Sequence, residues 1–154
     1  SNTENDMYNP DGEPMSESTR LPLEEESFDV ICMFSVFTHI APHDYVEMLR
    51  LLRRYIKPDG RIFFSLFINE ATEGGHGFVD KMSAGIAPSL SEDDLKVGLK
   101  GPADFLDWYP ERPLWRAVYS REKAINLIAD TGWEIESLND PLVDIQHYMI
   151  CKPI

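Results

Sequence analysis

A chain of 154 residues with 43% hydrophobic and 11% aromatic side chains carries material for one compact core and not for several domains. Its formal net charge of −13 argues against a nucleic-acid phosphate backbone as partner, because affinity for that backbone comes from clustered lysine and arginine. No apolar run approaches the roughly 20 residues of a membrane span and no signal peptide precedes the acidic start, so no membrane partner is expected and the cytoplasm is the expected compartment.

Residues 1–20 read as a polar N-terminal segment ahead of a folded domain spanning 21–154. Ser1-Asn2 reads as a tag remnant and is set aside from fold reasoning. Acids (Glu4, Asp6, Asp11, Glu13, Glu17, then Glu24 to Glu26) dominate the stretch, against the single base Arg20.

The first predicted element is Phe28 to Phe34, FDVICMF, where only Asp29 interrupts apolar and β-branched side chains; such a run suits a strand buried on both faces. From Pro42 to Lys57, Tyr45, Met48, Leu49, Leu52 and Ile56 recur at helical spacing, while Glu47, Arg50, Arg53, Arg54 and Lys57 take the opposite, solvated side. Pro42 suits a first helical turn, and Pro58 with Gly60 supplies a stop and a turn. Ile62 to Ile68, IFFSLFI, is a second apolar strand, and a helix of this length between two buried strands implies a parallel pair joined by a right-handed crossover.

Between Asn69 and Tyr119 the pattern dissolves into a loop-rich insertion with room for one short helix starting at Ser91. Ser120 can cap a helix whose apolar face is Ala124, Ile125, Ile128 and Ala129, with Gly132 as its left-handed terminator. Trp133 to Leu138 alternates as a strand, and Asp144 to Cys151 forms a last strand. Cys32 and Cys151 sit in apolar strand patterns without CxxC or Cys-His spacing, which predicts reduced core thiols and no metal centre. EGGHGF at Glu73 to Phe78 lacks the lysine of a phosphate loop, His43, His76 and His147 lack metal-ligand spacing, and no GxSxG elbow is present.

The run LPLEEESFDVICMFSVFTHI followed by RLLRRYIKPDGRIFFSLF resembles the fourth strand, following helix and fifth strand of class I S-adenosylmethionine-dependent methyltransferases. Leu21-Pro22, Phe28-Asp29, Ser35 to His39 and Lys57 to Gly60 carry the likeness, with Asp59 in place of the family's usual glycine. YSREKAINLIADTGWEIESL resembles the next helix and sixth strand, IQHYMICKPI the closing antiparallel strand, and MYNPDG a YNPxG loop found in one subgroup. The resemblance implies an α/β, partial Rossmann-like fold with strands equivalent to 4-5-7-6, the last antiparallel, and helices packed on the sheet.

The resemblance also implies S-adenosylmethionine as cofactor and a small-molecule acceptor. Phe34, Ser35 and Val36 would lie against the cofactor, His39 would be the catalytic base, and Phe37, Asn69, Trp108 and Tyr119 would meet the acceptor, with no metal. For His39 the competing reading is a hydrogen bond to backbone at the strand-to-helix turn; for Trp108, Tyr109, Trp115 and Tyr119 it is the pinning of a long loop to the core. The family's glycine-rich turn and the acid ending its second strand are not in this sequence, and residues 1–26 are too few for the roughly 30 of a βαβ unit. The chain therefore reads as the C-terminal half of a methyltransferase, inactive alone. The other reading is a non-catalytic interaction or assembly module derived from that fold; half of a nicotinamide-dependent oxidoreductase shares the architecture, but its Tyr-x-x-x-Lys helix is read as missing and the KPDG turn favours the transferase. In either case the edge of strand 28–34 would lack its neighbour, to be covered by the segment around Met7 to Pro14 folding back or by a second copy of the chain, and a homodimer across that edge is the favoured remedy.

Overall fold

The computed structural model describes residues 11–69, 104–107, 114–141 and 145–154. Strand β1 (Phe28–Met33) leads through a 3-10 turn (Phe37–His39) into helix α1 (Pro42–Arg53) and then into β2 (Ile56–Ile68). β1 and β2 pair in parallel, with Ile31 opposite Ile62, Cys32 opposite Phe63 and Met33 opposite Phe64, so the βαβ unit expected from the sequence is present. Pro42 opens α1 after Ala41 in extended conformation, where a missing N–H costs nothing, and Asp44 adds a negative charge to the positive end of the helix.

β2 is the spine of the sheet. Along Ile62 to Leu66 it pairs antiparallel with β6 (His147–Pro153), and β6 pairs antiparallel with β5 (Trp133–Asn139). The order β1-β2-β6-β5 is the expected 4-5-7-6 arrangement, with the last strand in sequence inserted antiparallel between its neighbours. At its far end β2 gains a parallel partner in β4 (Ala117–Tyr119), through Phe67 opposite Val118 and Ile68 opposite Tyr119, and β4 pairs antiparallel with β3 (Phe105–Asp107). These two strands lie inside the stretch read as loop. At three residues each they are too short to show a period of two. The helix expected from Ser91 falls outside the described residues.

One face of the sheet, with Ile62, Phe64, Leu66, Met149 and Cys151, is packed with Tyr45, Leu49 and Leu52 of α1 and with Phe37, Ala124, Ile128 and Trp133. Trp133 also donates its indole N–H to the Leu49 carbonyl at 2.9 Å, which ties β5 to α1 through a satisfied buried polar group. Ser120 caps the short helix α2 (Arg121–Asn126) by accepting the Lys123 N–H at 3.0 Å, and Gly132 follows it at φ +82°.

Several expectations need correction. β1 is not buried on both faces: Phe28, Asp29, Val30 and Cys32 are exposed, Val30 to 57%. The core covers only the face carrying Ile31 and Met33, and among the described residues β1 pairs with β2 alone. Cys32 is accordingly an exposed thiol, while Cys151 is buried as expected. α1 stops at Arg53 rather than Lys57, and β2 begins at Ile56, so Lys57 to Gly60 form a bulge inside a strand. Across it β1 advances two residues, from Phe28 to Val30, while β2 advances five, from Ile56 to Arg61.

The polar side of α1 is only partly solvated. Glu47 is buried beside Arg50 at 2.9 Å, Arg53 donates to the carbonyls of Gly132 and Ile154, and Leu51 packs with Met15 and Tyr55 in a second cluster. In α2 and the turn after it, Ala124 and Ile128 are buried but Ile125 and Ala129 are exposed, because the helix ends at Asn126 and turns replace its second face. The last strand runs from His147 to Pro153, three residues later at its start than Asp144, with His147, Met149 and Cys151 inward.

Candidate functional site

The chemistry-bearing residues gather where β1 ends, at the C-terminal edge of the parallel pair. This is the edge at which open α/β sheets bind ligands. Phe34 leaves the strand 59% exposed, its ring 5.2 Å from that of Phe63. Ser35 then takes φ +53°, a left-handed conformation that a non-glycine residue adopts only at a cost. The turn is held from across the sheet. The Ser35 N–H donates to Ser65 Oγ at 2.8 Å, Ser65 Oγ donates to Gln146 Oε1 at 2.6 Å, and Gln146 Nε2 donates to Ser35 Oγ at 3.0 Å.

Val36 follows in right-handed conformation and starts the 3-10 turn, which sends Phe37 and Thr38 inward and leaves His39 half-buried. His39 Nδ1 lies 3.2 Å from the Leu114 carbonyl. A carbonyl only accepts, so a hydrogen bond there puts the proton on Nδ1 and makes Nε2 the basic nitrogen. The backbone contact weighed for His39 is thus present, to a distant loop rather than to its own turn.

The remaining sequence candidates are dispersed. Phe37 is fully buried, its ring 4.3 Å from Phe64 and edge-on to Tyr45 at 4.8 Å. Tyr119 is also fully buried, and its hydroxyl donates to the Ile40 carbonyl. These two rings build the floor beneath the edge. Asn69 is exposed at the end of β2, its N–H bonded to the Tyr119 carbonyl at 2.8 Å. Trp115 is half-buried with the Arg116 guanidinium 5.1 Å from its ring centre. Trp108 and Tyr109, like the EGGHGF stretch, lie outside the described residues.

Burial suppresses ionisation of these core groups: the pKa values of Tyr45 and Tyr119 are held well above the ordinary phenol range, chiefly by loss of water, and that of the Cys151 thiol is pushed up to about 12 for the same reason. All three are therefore neutral core groups and not nucleophiles. Among the described residues no group of three or more His, Cys, Asp or Glu is placed to hold a metal ion.

Ser65 and Gln146 carry no sequence signal of their own. Ser65 is one polar letter in IFFSLFI and Gln146 an unremarked residue before the last strand; only the antiparallel insertion of β6 brings them together. Tyr119 and Lys123 stand at the Tyr-x-x-x-Lys spacing of nicotinamide-dependent oxidoreductases, but the structure separates their roles. Tyr119 ends a strand and is shut in the core, while Lys123 pairs with Asp104 at 3.1 Å.

Residues 11–64 match the family model described as a methyltransferase domain. That match covers about a third of the chain, from the N-terminal described residues into β2. Solved structures share its fold: mitomycin 7-O-methyltransferase MmcR at 16% identity and TM-score 0.54, over 86% of this chain and 31% of that one. The 1,6-didemethyltoxoflavin-N1-methyltransferase of Burkholderia thailandensis, with 1,6-didemethyltoxoflavin and S-adenosylhomocysteine bound, aligns at 15% identity and TM-score 0.55, over 91% of this chain and 48% of that one. LepI in complex with SAM aligns at 10% identity and TM-score 0.55, over 92% of this chain and 30% of that one. The chain thus spans between 30% and 48% of the length of these proteins. No described helix is long and apolar enough to cross a membrane.

Proposed function

We propose that the chain is the acceptor-side portion of an S-adenosylmethionine-dependent methyltransferase that modifies a small molecule, and that it is inactive without further polypeptide to complete the cofactor site. The observation that carries this reading is the methyltransferase-domain match over residues 11–64, which covers the βαβ unit and the strained Ser35 at its ligand-binding edge. Two of the structural neighbours are small-molecule methyltransferases, of mitomycin and of 1,6-didemethyltoxoflavin, which favours an acceptor of that size.

The residues present fit such a cofactor in part. Phe34, Ser35 and Val36 offer an exposed ring and a hydroxyl at the edge, whereas the glycine-rich turn that would hold the nucleoside is not in the sequence. When bound, the cofactor supplies an electrophilic methyl group on a sulfonium. The chain's own part is orientation of the acceptor atom and, for a hydroxyl or amine, removal of its proton by His39 Nε2. Asn69, exposed at the end of β2, completes the acceptor side. The edge of β1, which among the described residues pairs only with β2, is covered by a second copy of this chain in preference to the N-terminal segment, in a cytoplasmic protein.

A second reading, a non-catalytic assembly module, is favoured by that open edge with Val30 57% exposed. Titration with S-adenosylhomocysteine at millimolar concentration, followed by amide shifts, separates the two. Weak binding confined to residues 34–39 and 65–69 is expected; no response, together with an upstream reading frame that encodes no glycine-rich turn, overturns the methyltransferase reading.

A further inference from the structure

The side of α1 turned away from the sheet carries a second set of polar groups. Tyr45, Leu49 and Leu52 face the core, whereas Glu47, Arg50, Leu51 and Arg54 fall on the opposite face, each three or four residues after the last. The segment from Met15 to Leu21 is fastened across that face. Met15 packs with Leu51 and Tyr55, the Leu21 N–H donates to Tyr55 Oη at 2.7 Å, and Arg54 Nη2 donates to the Glu17 carbonyl at 3.3 Å. Between segment and helix lies a cleft of about 190 Å³, walled by Ser16, Glu17, Thr19, Glu47, Arg50 and Arg54. Clefts that take drug-sized ligands run from ~300 to 1,000 Å³, so an occupant here is smaller than that.

Glu47 is the group whose hydrogen bonding the fold leaves incomplete. It is 7% exposed, and its Oε1 accepts from Arg50 Nη1 at 2.9 Å, while Oε2 is enclosed and has no hydrogen-bond partner among the described residues. A buried carboxylate oxygen without a donor is costly, and an N–H brought to it from a ligand removes that cost. The arginines supply the complementary half. Each guanidinium has five N–H donors, of which Arg50 and Arg54 use one apiece among the described residues. Two acids and two arginines line the cleft in balance, so its field favours neither a bare cation nor a bare anion. A ligand that carries both signs uses both sets.

We infer that this cleft binds a small zwitterion of the α-amino-acid class, its ammonium on Glu47 Oε2 and its carboxylate on the guanidiniums of Arg54 and Arg50. Arg50, the exposed half of its pair at 40%, swings aside to admit the ammonium. The site lies across α1 from the sheet and needs nothing from the methyltransferase reading.

The test is an amide-resolved titration of the full chain with glycine, the smallest such zwitterion, and separately with methylammonium and with acetate. Glycine should shift the amides of residues 15–19 and 47–54 and bind about tenfold more tightly than either half alone, because joining the two groups makes the second contact intramolecular. Glu47→Gln puts an N–H donor where an acceptor stood, at the same volume. It should weaken glycine about tenfold and abolish the methylammonium response while keeping that to acetate. Arg54→Gln should do the converse, losing acetate and keeping methylammonium, an exchange of ion preference that a merely structural role would not produce. No response to glycine, glycine no tighter than methylammonium or acetate, or a response unchanged in both variants overturns the inference. If Glu47→Gln fails to fold, Arg54→Gln decides alone. None of these outcomes alters the response to S-adenosylhomocysteine expected at residues 34–39 and 65–69, so the methyltransferase reading is judged separately.

Discussion

Gly60 is where the bulge in β2 comes closest to its neighbour, and replacing it with alanine tests whether that bulge is built as described. A Cβ on Gly60 would lie 2.8 Å from the Asp29 carbonyl oxygen and 2.8 Å from both Cδ1 and Cγ1 of Ile56. The Ile56 side chain is fully buried and the Asp29 oxygen is main chain, so neither can swing aside cheaply. Over-packing of a well-filled site typically costs ~1–3 kcal/mol. For a chain of this size that corresponds to a fall in melting temperature of roughly 3–10 °C. The measurement is urea unfolding followed by tryptophan fluorescence, with the midpoint and slope fitted separately. A reduced midpoint at unchanged slope is expected, because the defect is local. A Gly60→Ala protein within about 0.5 kcal/mol of the parent, the usual range for an innocuous surface change, would refute the packing of residues 57–60 against β1.

Gly132→Ala should cost more for its backbone than for its contacts: φ is +82° and the new Cβ meets Arg53 Cγ at 3.0 Å, so a loss of ~1–2 kcal/mol in the same unfolding assay is expected. Ser120→Ala removes the acceptor for the Lys123 N–H and should lower stability by ~1 kcal/mol, with Ser120→Asp recovering most of it. A thiol reagent at pH 8 should modify Cys32 and leave Cys151 untouched until denaturant is added; a second fast-reacting thiol in the native protein would contradict the burial of β6. In alkali the sign follows from Cys151, whose thiol is raised from 9.0 to about 12 in the folded protein. The unfolded thiol loses its proton first, so this stabilisation is full below pH 9 and is lost as pH rises towards 12. Tyr45 and Tyr119, raised well above 10, steepen the same decline. Cys151→Ala should flatten the pH dependence of the unfolding midpoint in that window.

The βαβ unit was legible because its signals are local: apolar runs in FDVICMF and IFFSLFI, a 3.6-residue stripe from Tyr45 to Leu52, and Pro42 at the helix start. The exposure of one face of β1 was not legible, because composition reports what a strand could bury and not which face other elements cover; the edge of strand 28–34 was expected to lack its neighbour, and among the described residues β1 pairs with β2 alone. Tyr119 shows the limit for site residues. As an aromatic in a variable stretch it suggested a ligand wall, yet pairing with Ile68 of β2 turns it into the core. His39 was expected just past β1, where the 3-10 turn holds it, but its partner, the Leu114 carbonyl, lies 75 residues away and has no trace in the local sequence. Glu47 and Arg53 read as solvated because helical spacing describes one helix at a time, whereas Arg53 is engaged from outside its helix by the carbonyls of Gly132 and Ile154.

The position of β2 has a consequence for how this protein is made. Its inner edge is paired by β6, with Leu66 opposite His147, so the middle of the sheet must wait for a segment synthesised about eighty residues later. A nascent chain halted before residue 147 would carry the most apolar stretch of the molecule with one flank unsatisfied, a state that favours capture by chaperones or self-association over slow refolding. Truncation from the C-terminus should therefore be far more damaging to soluble yield than its length suggests.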